Sequence, residues 1–352
     1  MKSKRKRELM AAALLAALAL VCPSARATVT RKDVVLMKNG DRLTGNIKRL
    51  QNGVLYIETE YFSGSTGLDW RLVEKVESTA QFQIVLKNGG RLIGQIEKLP
   101  QQTEADNDFV IREAGRELRI PSSDIVDIGP QKENFWRQLA GSIDAGSSYT
   151  SGNSQTTVDV STNAKYVTKK WEAGASFDST FNGQSGASKT NREDGQLSYA
   201  RFLNRNSFLM GLADFLHSSE QSLNLRTTLG AGYGRYLIRS GGTDLRWVAG
   251  GAYTNESFNT TASPSENNTE ALLGLQYDQY RFNFGELHSQ LFVFPGLSDS
   301  GRVRVTTNNS LLISLTNNFH FTVSLWDNYD SRPPNTAKKN ELGISAGVGW
   351  KF

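Results

Sequence analysis

Residues 136–352 break into segments of about 10 to 15 residues in which apolar and polar side chains alternate, separated by turn-rich stretches. The last segment shows the pattern best. Leu342, Ile344, Ala346, Val348, Trp350 and Phe352 alternate there with Glu341, Gly343, Ser345, Gly347, Gly349 and Lys351. Because successive side chains of a strand point to opposite faces, one set faces lipid and the other a lumen. A long series of such segments is typical of a transmembrane β-barrel.

The pattern predicts twelve antiparallel barrel strands, an even number that leaves both ends of the barrel on one side. They are predicted at residues 136–149, 156–168, 171–182, 192–203, 207–217, 223–238, 243–256, 269–281, 284–294, 302–315, 318–329 and 340–352. The links that follow even-numbered strands are short, and most of the others are long. Short periplasmic turns and long outer loops are typical of bacterial barrels, so the region before the barrel is predicted to be periplasmic.

The predicted partners of the barrel follow from its surface and from its last residue. Aromatic side chains collect near the predicted strand ends, as in the two aromatic belts that contact outer-membrane lipid. The periplasmic belt would include Trp171, Phe202, Trp247 and Trp350. A strand that closes on an aromatic residue, here Phe352, resembles the signal read by the barrel assembly machinery of the outer membrane.

The first 27 residues have the order of a secretory signal peptide. A basic stretch up to Arg7 is followed by an apolar run, Leu9 to Val21, and by Ala25-Arg26-Ala27, a small-residue cleavage site. The apolar run is shorter than the roughly 18 residues that a membrane-spanning helix needs. We therefore expect residues 1–27 to direct export, and the predicted location is the outer membrane of a Gram-negative bacterium.

Charge and cysteine content exclude two classes of function. The chain has 40 basic and 35 acidic residues, but residues 1–27 hold six of the basic ones and one acidic one. The remainder is formally neutral and lacks the basic footprint of a nucleic-acid-binding protein. The one cysteine, Cys22, lies in the predicted signal peptide, so neither a disulfide nor thiol chemistry is expected afterwards.

Residues 28–130 are predicted to form a small periplasmic β-domain with an internal repeat. The stretch KNGDRLTGNI at residues 38–47 recurs as KNGGRLIGQI at residues 87–96, an offset of 49 residues. Asn39-Gly40 and Asn88-Gly89 predict type I′ hairpin turns, in which both central residues have positive φ. Short strands joined by tight turns favour an SH3-like or Sm-like barrel, or two half-barrels. Residues 131–135, polar and turn-forming, are the predicted linker.

Two roles remain open for this domain. It could be a rigid stalk or plug without a ligand, or it could bind peptidoglycan or a periplasmic partner protein. A fold alone does not assign a function.

Two stretches resemble a known family. Residues 146–154, GSSYTSGNS, together with KNGDRLTG at residues 38–45, are similar to the salt-induced outer-membrane proteins, a YdiY-like bacterial family named for a domain of unknown function. The resemblance covers nearly all of the chain after residue 27. It implies an outer-membrane barrel linked to osmotic or acid stress, and it supplies no catalytic residue.

The alternation also names candidates for lining the lumen. They are Asp144, Asp159, Glu172, Asp178, Arg226, Arg246, Asp278, Glu286, His288, Arg302, Arg304 and Glu341. Charges inside a barrel must pair or meet water, so the interior is either salt-bridged and nearly closed or a narrow aqueous channel. In a channel, Arg226, Arg246, Arg302 and Arg304 would be the candidates for attracting an anion.

No catalytic, cofactor-binding or metal-binding residue is predicted. An outer-membrane lipase needs a Ser and a His in hydrogen-bond reach. His217, near Ser218 and Ser219 at an outer strand end, is the nearest candidate, whereas His288 and Ser289 point to opposite faces. We therefore predict a narrow pore for small solutes linked to salt or envelope stress. The alternative is a non-conducting scaffold with a partner-binding periplasmic domain, and a lipolytic enzyme is third.

Overall fold

The structure, a computed structural model, describes residues 33–62, 65–97, 108–113, 115–130, 139–150, 155–168, 170–184, 188–203, 206–259, 265–280, 285–316, 318–333 and 338–352. The predicted signal peptide and the predicted linker lie outside these ranges. A ten-stranded sheet occupies residues 33–130, and a closed barrel of twelve strands follows. The predicted all-β class and the twelve-stranded antiparallel barrel are confirmed. The SH3-like or Sm-like character of the first domain stays a prediction.

The N-terminal sheet repeats one arrangement twice. Its strands are β1 (Asp33–Met37), β2 (Arg42–Gln51), β3 (Val54–Glu58), β4 (Ser65–Asp69), β5 (Val73–Glu77), β6 (Phe82–Leu86), β7 (Arg91–Glu97), β8 (Asp108–Glu113), β9 (Arg116–Pro121) and β10 (Ile125–Pro130). In the first half β1 pairs with β2 and β5, and in the second half β6 pairs with β7 and β10. A bridge between Leu50 and Ile128 joins the halves. The sequence duplication thus reappears as a duplication of strands.

Two 3₁₀ turns interrupt the strands of this domain. The turns are Trp70–Leu72, between β4 and β5, and Ser122–Asp124, between β9 and β10. At the first turn, Asp69 Oδ1 accepts a hydrogen bond from the Arg71 backbone N at 2.9 Å. An Asp side chain that bonds to nearby backbone in this way competes with the strand ladder. The break lets the Trp70 indole enter the core and donate to the Ser122 carbonyl at 3.0 Å.

The predicted type I′ turns are wrong. After β1, the Gly40 backbone N donates to the Met37 carbonyl, and Gly40 has a φ of +88° whereas Asn39 keeps a negative φ. This is the three-residue loop in which a type I turn is followed by a left-handed glycine. The type I′ turn lies instead between β2 and β3, where Asn52 and Gly53 have φ of 54° and 70°.

The two halves of the sheet share one apolar core. Val35, Leu50, Leu55, Ile57, Ile84, Ile96, Ile111 and Ile128 are fully buried there. Trp70 from the first half stacks on Phe109 from the second, with ring centroids 5.0 Å apart. Each large apolar side chain buried in this way contributes about 1.5–3 kcal/mol relative to an exposed one.

The barrel closes on the last residues of the chain. Its strands are β11 (Leu139–Thr150), β12 (Gln155–Val167), β13 (Trp171–Gly183), β14 (Thr190–Phe202), β15 (Ser207–Ser218), β16 (Leu223–Arg239), β17 (Thr243–Phe258), β18 (Ser265–Gln279), β19 (Gly285–Pro295), β20 (Val303–Ser314), β21 (Phe319–Asp330) and β22 (Asn340–Lys351). Each pairs with the next, and β22 pairs with β11. Gly141 and Phe352 also exchange backbone hydrogen bonds of 3.3 and 3.0 Å. Closure leaves no unpaired strand edge.

The two ends of the barrel differ in their links. We call one end of the barrel the short-link end, because it carries the links that follow the even-numbered strands. These links are residues 168–170, 203–206, 240–242, 280–284 and 315–318. The opposite, long-link end carries the remaining links, of which residues 331–339 are the longest. The N-terminal sheet contacts the short-link end, where Asn206 Nδ2 donates to the Lys87 carbonyl at 2.9 Å and Arg91 Nη1 to the Thr168 carbonyl at 2.8 Å.

Within the described ranges, none of the helices has the length and apolar character needed to cross a membrane.

Candidate functional site in the barrel interior

Hydrogen bonds between strands that are not neighbours show which side chains face the inside of the barrel. Ser218 on β15 donates to Glu341 on β22, at 2.9 and 3.0 Å to the two carboxylate oxygens. Arg246 on β17 donates to Glu172 on β13 at 2.6 Å. Such bonds must cross the interior. Exposed apolar side chains such as Phe177 and Ile344 lie on the other face of these strands.

The structure places all twelve sequence candidates on the inward face, at two levels and along the wall between them. Arg226, Arg302, Arg304 and Glu341 lie near the long-link end, and Glu172, Arg246, Asp278, Glu286 and His288 near the short-link end. Asp144, Asp159 and Asp178 line the wall formed by β11, β12 and β13.

Four charged side chains fill the interior near the long-link end; we call Arg226, Glu256, Arg302 and Asp330 the long-link cluster. Glu256 Oε1 accepts hydrogen bonds from Arg226 Nε at 2.6 Å and from Arg302 Nη2 at 3.1 Å. Arg302 also donates to Asp330 through Nε at 3.1 Å and Nη2 at 2.5 Å. Arg302 is 1% exposed, Glu256 0% and Asp330 2%, so these side chains are shielded from bulk water.

Two further pairs extend this level around the wall. Arg304 forks onto Glu270, with Nε and Nη2 at 2.7 and 2.5 Å from its carboxylate oxygens. Arg192 bonds to Asp194 at 2.5 Å and lies 4.2 Å from the ring centroid of Trp326. A planar guanidinium favours such forked pairing with a carboxylate. The cross-section at the long-link end is therefore filled by matched charges.

The short-link end holds a second, more open set of pairs. Glu172 is bonded by Arg246 at 2.6 Å and approached by Lys165 at 3.2 Å. His288 lies 2.8 Å from Asp278, and Lys351 lies 2.9 Å from Glu286. The side chains of His288 and Lys351 keep about a third of their surface exposed, at 35% and 31%, so water reaches this level.

An apolar cluster inside the barrel was not predicted from the sequence. Ala200, Phe208, Met210, Leu212, Tyr236, Val248, Ala252, Leu272, Phe292 and Phe294 form it, and Phe202 packs against it. Phe202, predicted to sit in the lipid-facing belt, therefore points inward. The sequence of β15 could have indicated this cluster, because apolar side chains occupy both faces of that strand. Phe208 and Met210 point inward, and Leu209 is exposed outside. A strand that borders lipid on one face and water on the other needs only one apolar face.

A small cavity remains beside this cluster. Asp194, Asp214, Arg226, Gln290, Phe292 and Asn308 are among the residues that line it. Its volume is about 20 Å³, enough for about one water molecule. Asp214 and the exposed Asp178 have no basic group within 4.0 Å among the described residues.

The four arginines proposed to attract an anion do not offer free positive charge. Arg226, Arg302 and Arg304 pair with Glu256, Asp330 and Glu270, and Arg246 pairs with Glu172. The partners Glu256, Glu270 and Asp330 were missed from the sequence. Their parity along β17, β18 and β21 would have placed them inside, but Glu256 and Asp330 stand where the predicted strands give way to loops.

No nucleophile and base meet at the histidines. His217 Nδ1 lies 2.9 Å from the Asn224 carbonyl oxygen, while the buried Ser218 hydroxyl donates to Glu341. His320 contacts Asp144 at 2.7 Å, in a bond that passes over Gly349 of the intervening strand β22. Within the described ranges, no group of three or more His, Cys, Asp or Glu side chains is arranged to hold a metal ion.

Comparison with known proteins identifies a family for most of the barrel. A family model described as "Protein of unknown function, DUF481" matches residues 143–352. None of the curated proteins matches the chain. Similar solved structures include the translocator domain of the autotransporter NalP from Neisseria meningitidis, 14% identical, covering 60% of this chain and 86% of that one, with a TM-score of 0.33. Another is the beta domain of the Bordetella autotransporter Brka, 11% identical, covering 61% and 97%, with a TM-score of 0.29.

Proposed function

The chain belongs to the DUF481 family, and from that premise we propose that it is an outer-membrane barrel with a narrow solute path that the long-link cluster holds closed. The observation that carries the proposal is the contrast between the two faces of one closed barrel, apolar outside and charged inside.

The outer face of the barrel supports insertion into a membrane. Every strand except β20 exposes at least one large apolar side chain. Examples in chain order are Ile143, Val158, Phe177, Leu197, Leu209, Leu229, Tyr253, Leu273, Leu291, Leu325 and Ile344. Soluble proteins rarely expose a continuous apolar band, whereas a bilayer barrel requires one.

Aromatic side chains support a particular depth for the short-link end. Trp171 lies between Tyr166 and Tyr199, with ring centroids 5.4 and 5.8 Å away, and Tyr233 lies 6.0 Å from Trp247. Amphipathic aromatic rings favour the headgroup level of a bilayer. Because short links are typically periplasmic, the sheet that contacts this end would lie in the periplasm.

The long-link cluster supports a path that is closed at rest. A buried arginine and carboxylate that each lose a partner leave an uncompensated charge, which favours entry of water. If the ion pairs of the long-link cluster separated, the long-link end would open onto the polar wall that carries Asp178. Since the four arginines are neutralised and Asp178 and Asp214 are not, we expect the open path to favour cations.

Planar-bilayer recording of the purified full chain tests the pore. We expect the wild type to be closed most of the time and Glu256→Gln to show frequent conductance steps, with a reversal potential in a salt gradient that indicates cation preference. Glu193→Gln, which changes an exposed carboxylate on β14, should behave like the wild type. If all three proteins are electrically silent, the pore proposal fails.

A non-conducting scaffold is the second candidate, and the interior apolar cluster favours it. Side chains such as Phe208, Leu272 and Phe292 fill part of the cross-section and would block a solute. In this role the sheet would bind peptidoglycan or a periplasmic protein. Co-sedimentation with purified peptidoglycan should then be lost when residues 28–130 are deleted, and a silent barrel that also fails to sediment would remove this candidate.

We propose no enzymatic activity, because His217 and Ser218 bond to other groups and lie on opposite faces of β15. A link to salt or envelope stress is also part of the proposal, and it rests on the sequence resemblance. A rise in the amount of the protein after a shift to high salt is the expected result, and an unchanged amount would contradict it.

A further inference from the structure

The sheet and the barrel meet around the ring of Phe202, at the short-link end. The guanidinium of Arg91, on β7, lies 3.8 Å above the centroid of this ring. Arg239, the last residue of β16, lies 5.8 Å from the same centroid and 4.4 Å from the ring of Tyr236. A residue of the sheet and a residue of the barrel thus place two cationic groups around one aromatic ring.

These two guanidinium groups are only partly satisfied. Arg91 uses Nη1 to reach the Thr168 carbonyl, but its Nε and Nη2 are buried without a hydrogen-bond partner, as is Nε of Arg239. Neither forms an ion pair within 4.0 Å with any described carboxylate. The arginines of the barrel interior differ, since Arg226, Arg246, Arg302 and Arg304 each pair with one.

The charges around the two arginines are mixed. Asp244 on β17 is opposite Arg239 in the strand pairing, but the two form no ion pair within 4.0 Å. Burial and the positive charge of Arg239 lower the pKa of Arg91 to about 10. The carboxylates of Asp127 and Glu172 act on Arg91 only from a distance, and Glu172 is already bonded to Arg246. Arg49 and Lys165 add further positive charge near Asp127.

We propose that Arg91 and Arg239 together bind an oxyanion of the phosphate class at the junction between the sheet and the barrel. Buried N–H donors without acceptors are costly, and an unpaired one in a native protein calls for a partner such as an ion. A phosphate group offers several acceptor oxygens and matches the forked donors of a guanidinium. Bound there, it would tie the sheet to the barrel.

The phosphate group can come from the free ion or from the headgroup of an acidic phospholipid, and the two sources need separate experiments. In the first, the full chain is purified in a maltoside detergent, whose headgroup carries no phosphate, and titrated calorimetrically with inorganic phosphate at constant ionic strength. We expect saturable binding by the wild type, at least tenfold weaker in Arg91→Gln and in Arg239→Gln.

The matched control for this titration is Arg235→Gln, which removes an exposed arginine from the same strand, β16, and should bind as the wild type does. In the second experiment, lipid nanodiscs contain phosphatidylglycerol or only phosphatidylcholine, whose phosphate is neutralised by its own choline group, without free phosphate. Stabilisation of the wild type by phosphatidylglycerol that is lost in Arg91→Gln but kept in Arg235→Gln would identify a headgroup. Failure of the wild type to respond in both experiments overturns the proposal, even if a variant fails to fold. Equal responses of all variants overturn it as well.

Discussion

Glu256 holds the long-link cluster together, because its Oε1 accepts hydrogen bonds from both Arg226 and Arg302. Two arginines and two carboxylates can be buried together only while every charge keeps a partner within hydrogen-bond distance. With Glu256 neutralised, Asp330 alone would face both guanidinium groups, at 2.5 Å from Arg302 and 3.6 Å from Arg226. The stability of the barrel and, in the proposed function, the closure of its solute path therefore depend on the same side chain.

We predict that Glu256→Gln lowers the free energy of unfolding of the barrel by about 3–5 kcal/mol, the usual cost of removing one partner of a buried ion pair. Guanidinium unfolding of the chain in lipid vesicles, followed by tryptophan fluorescence, would measure the change. Glu193→Gln is the control and should change the free energy by less than about 0.5 kcal/mol, as is usual at exposed positions. A loss for Glu256→Gln no larger than for the control would contradict the role assigned to the cluster.

Asp127 makes the N-terminal sheet sensitive to pH. Burial raises the pKa of its carboxyl to about 6 from an ordinary 3.8, although Arg91 and Arg239 act in the opposite direction. The folded state therefore binds the proton more tightly than the unfolded state, and the folded sheet gains stability as the pH falls from above 6 towards 3.8.

We predict that Asp127→Asn, which has no charge to bury, is more stable than the wild type at pH 7, and that the difference shrinks as the pH falls to 4. Hydrogen exchange of the β6 amides, compared between the two proteins at each pH, would measure it. A stability difference that stays constant between pH 7 and pH 4 would show that the Asp127 carboxyl titrates normally.

At the residue scale, the sequence indicates which face a side chain occupies but not what it touches. The alternation of side chains along the strand placed Arg302, just before β20, inside the barrel. Its partner Glu256 stands 46 residues earlier, on a strand that is not a neighbour of β20. Contacts across a barrel depend on strand tilt and side-chain length, which local pattern does not contain. The contact of Arg91 with Phe202 could not be predicted from the sequence either, because it joins two domains.

At the scale of elements, the sequence predicted where hairpin turns lie but not always which turn type they adopt. Both Asn-Gly pairs in the repeats do mark turns, but the bond between the Met37 N–H and the Asp41 carbonyl makes the first a three-residue loop. A third Asn-Gly pair, Asn52-Gly53, was not predicted as a turn, and there the strands β2 and β3 meet directly at Gln51 and Val54. Loop length, set by the register of the flanking strands, selects the turn type.

We predict that Gly53→Ala destabilises the sheet by about 1–2 kcal/mol, because a side chain at a φ of 70° meets the following carbonyl. Thermal unfolding of the sheet, followed by hydrogen exchange in β2 and β3, would measure it. Gly129→Ala in β10 is the control, since its φ is not positive and the nearest group, Asp127 Oδ1, is 4.0 Å from the added carbon. Equal effects of the two changes would rule out the type I′ geometry.

At the scale of the whole molecule, the barrel and the sheet depend on different parts of the chain. The barrel is closed by pairing of β11 with β22, within residues 139–352, and the sheet adds only contacts such as those of Lys87 and Arg91 at one end.

A barrel whose backbone groups are all paired internally resists detergent until it is heated. Deletion of residues 28–130 should therefore leave a barrel that migrates differently on gels before and after boiling, whereas deletion of residues 340–352 should abolish the difference. If deletion of the sheet also abolished it, the sheet would be part of the fold of the barrel, and the two could not act as a membrane pore and a separable periplasmic domain.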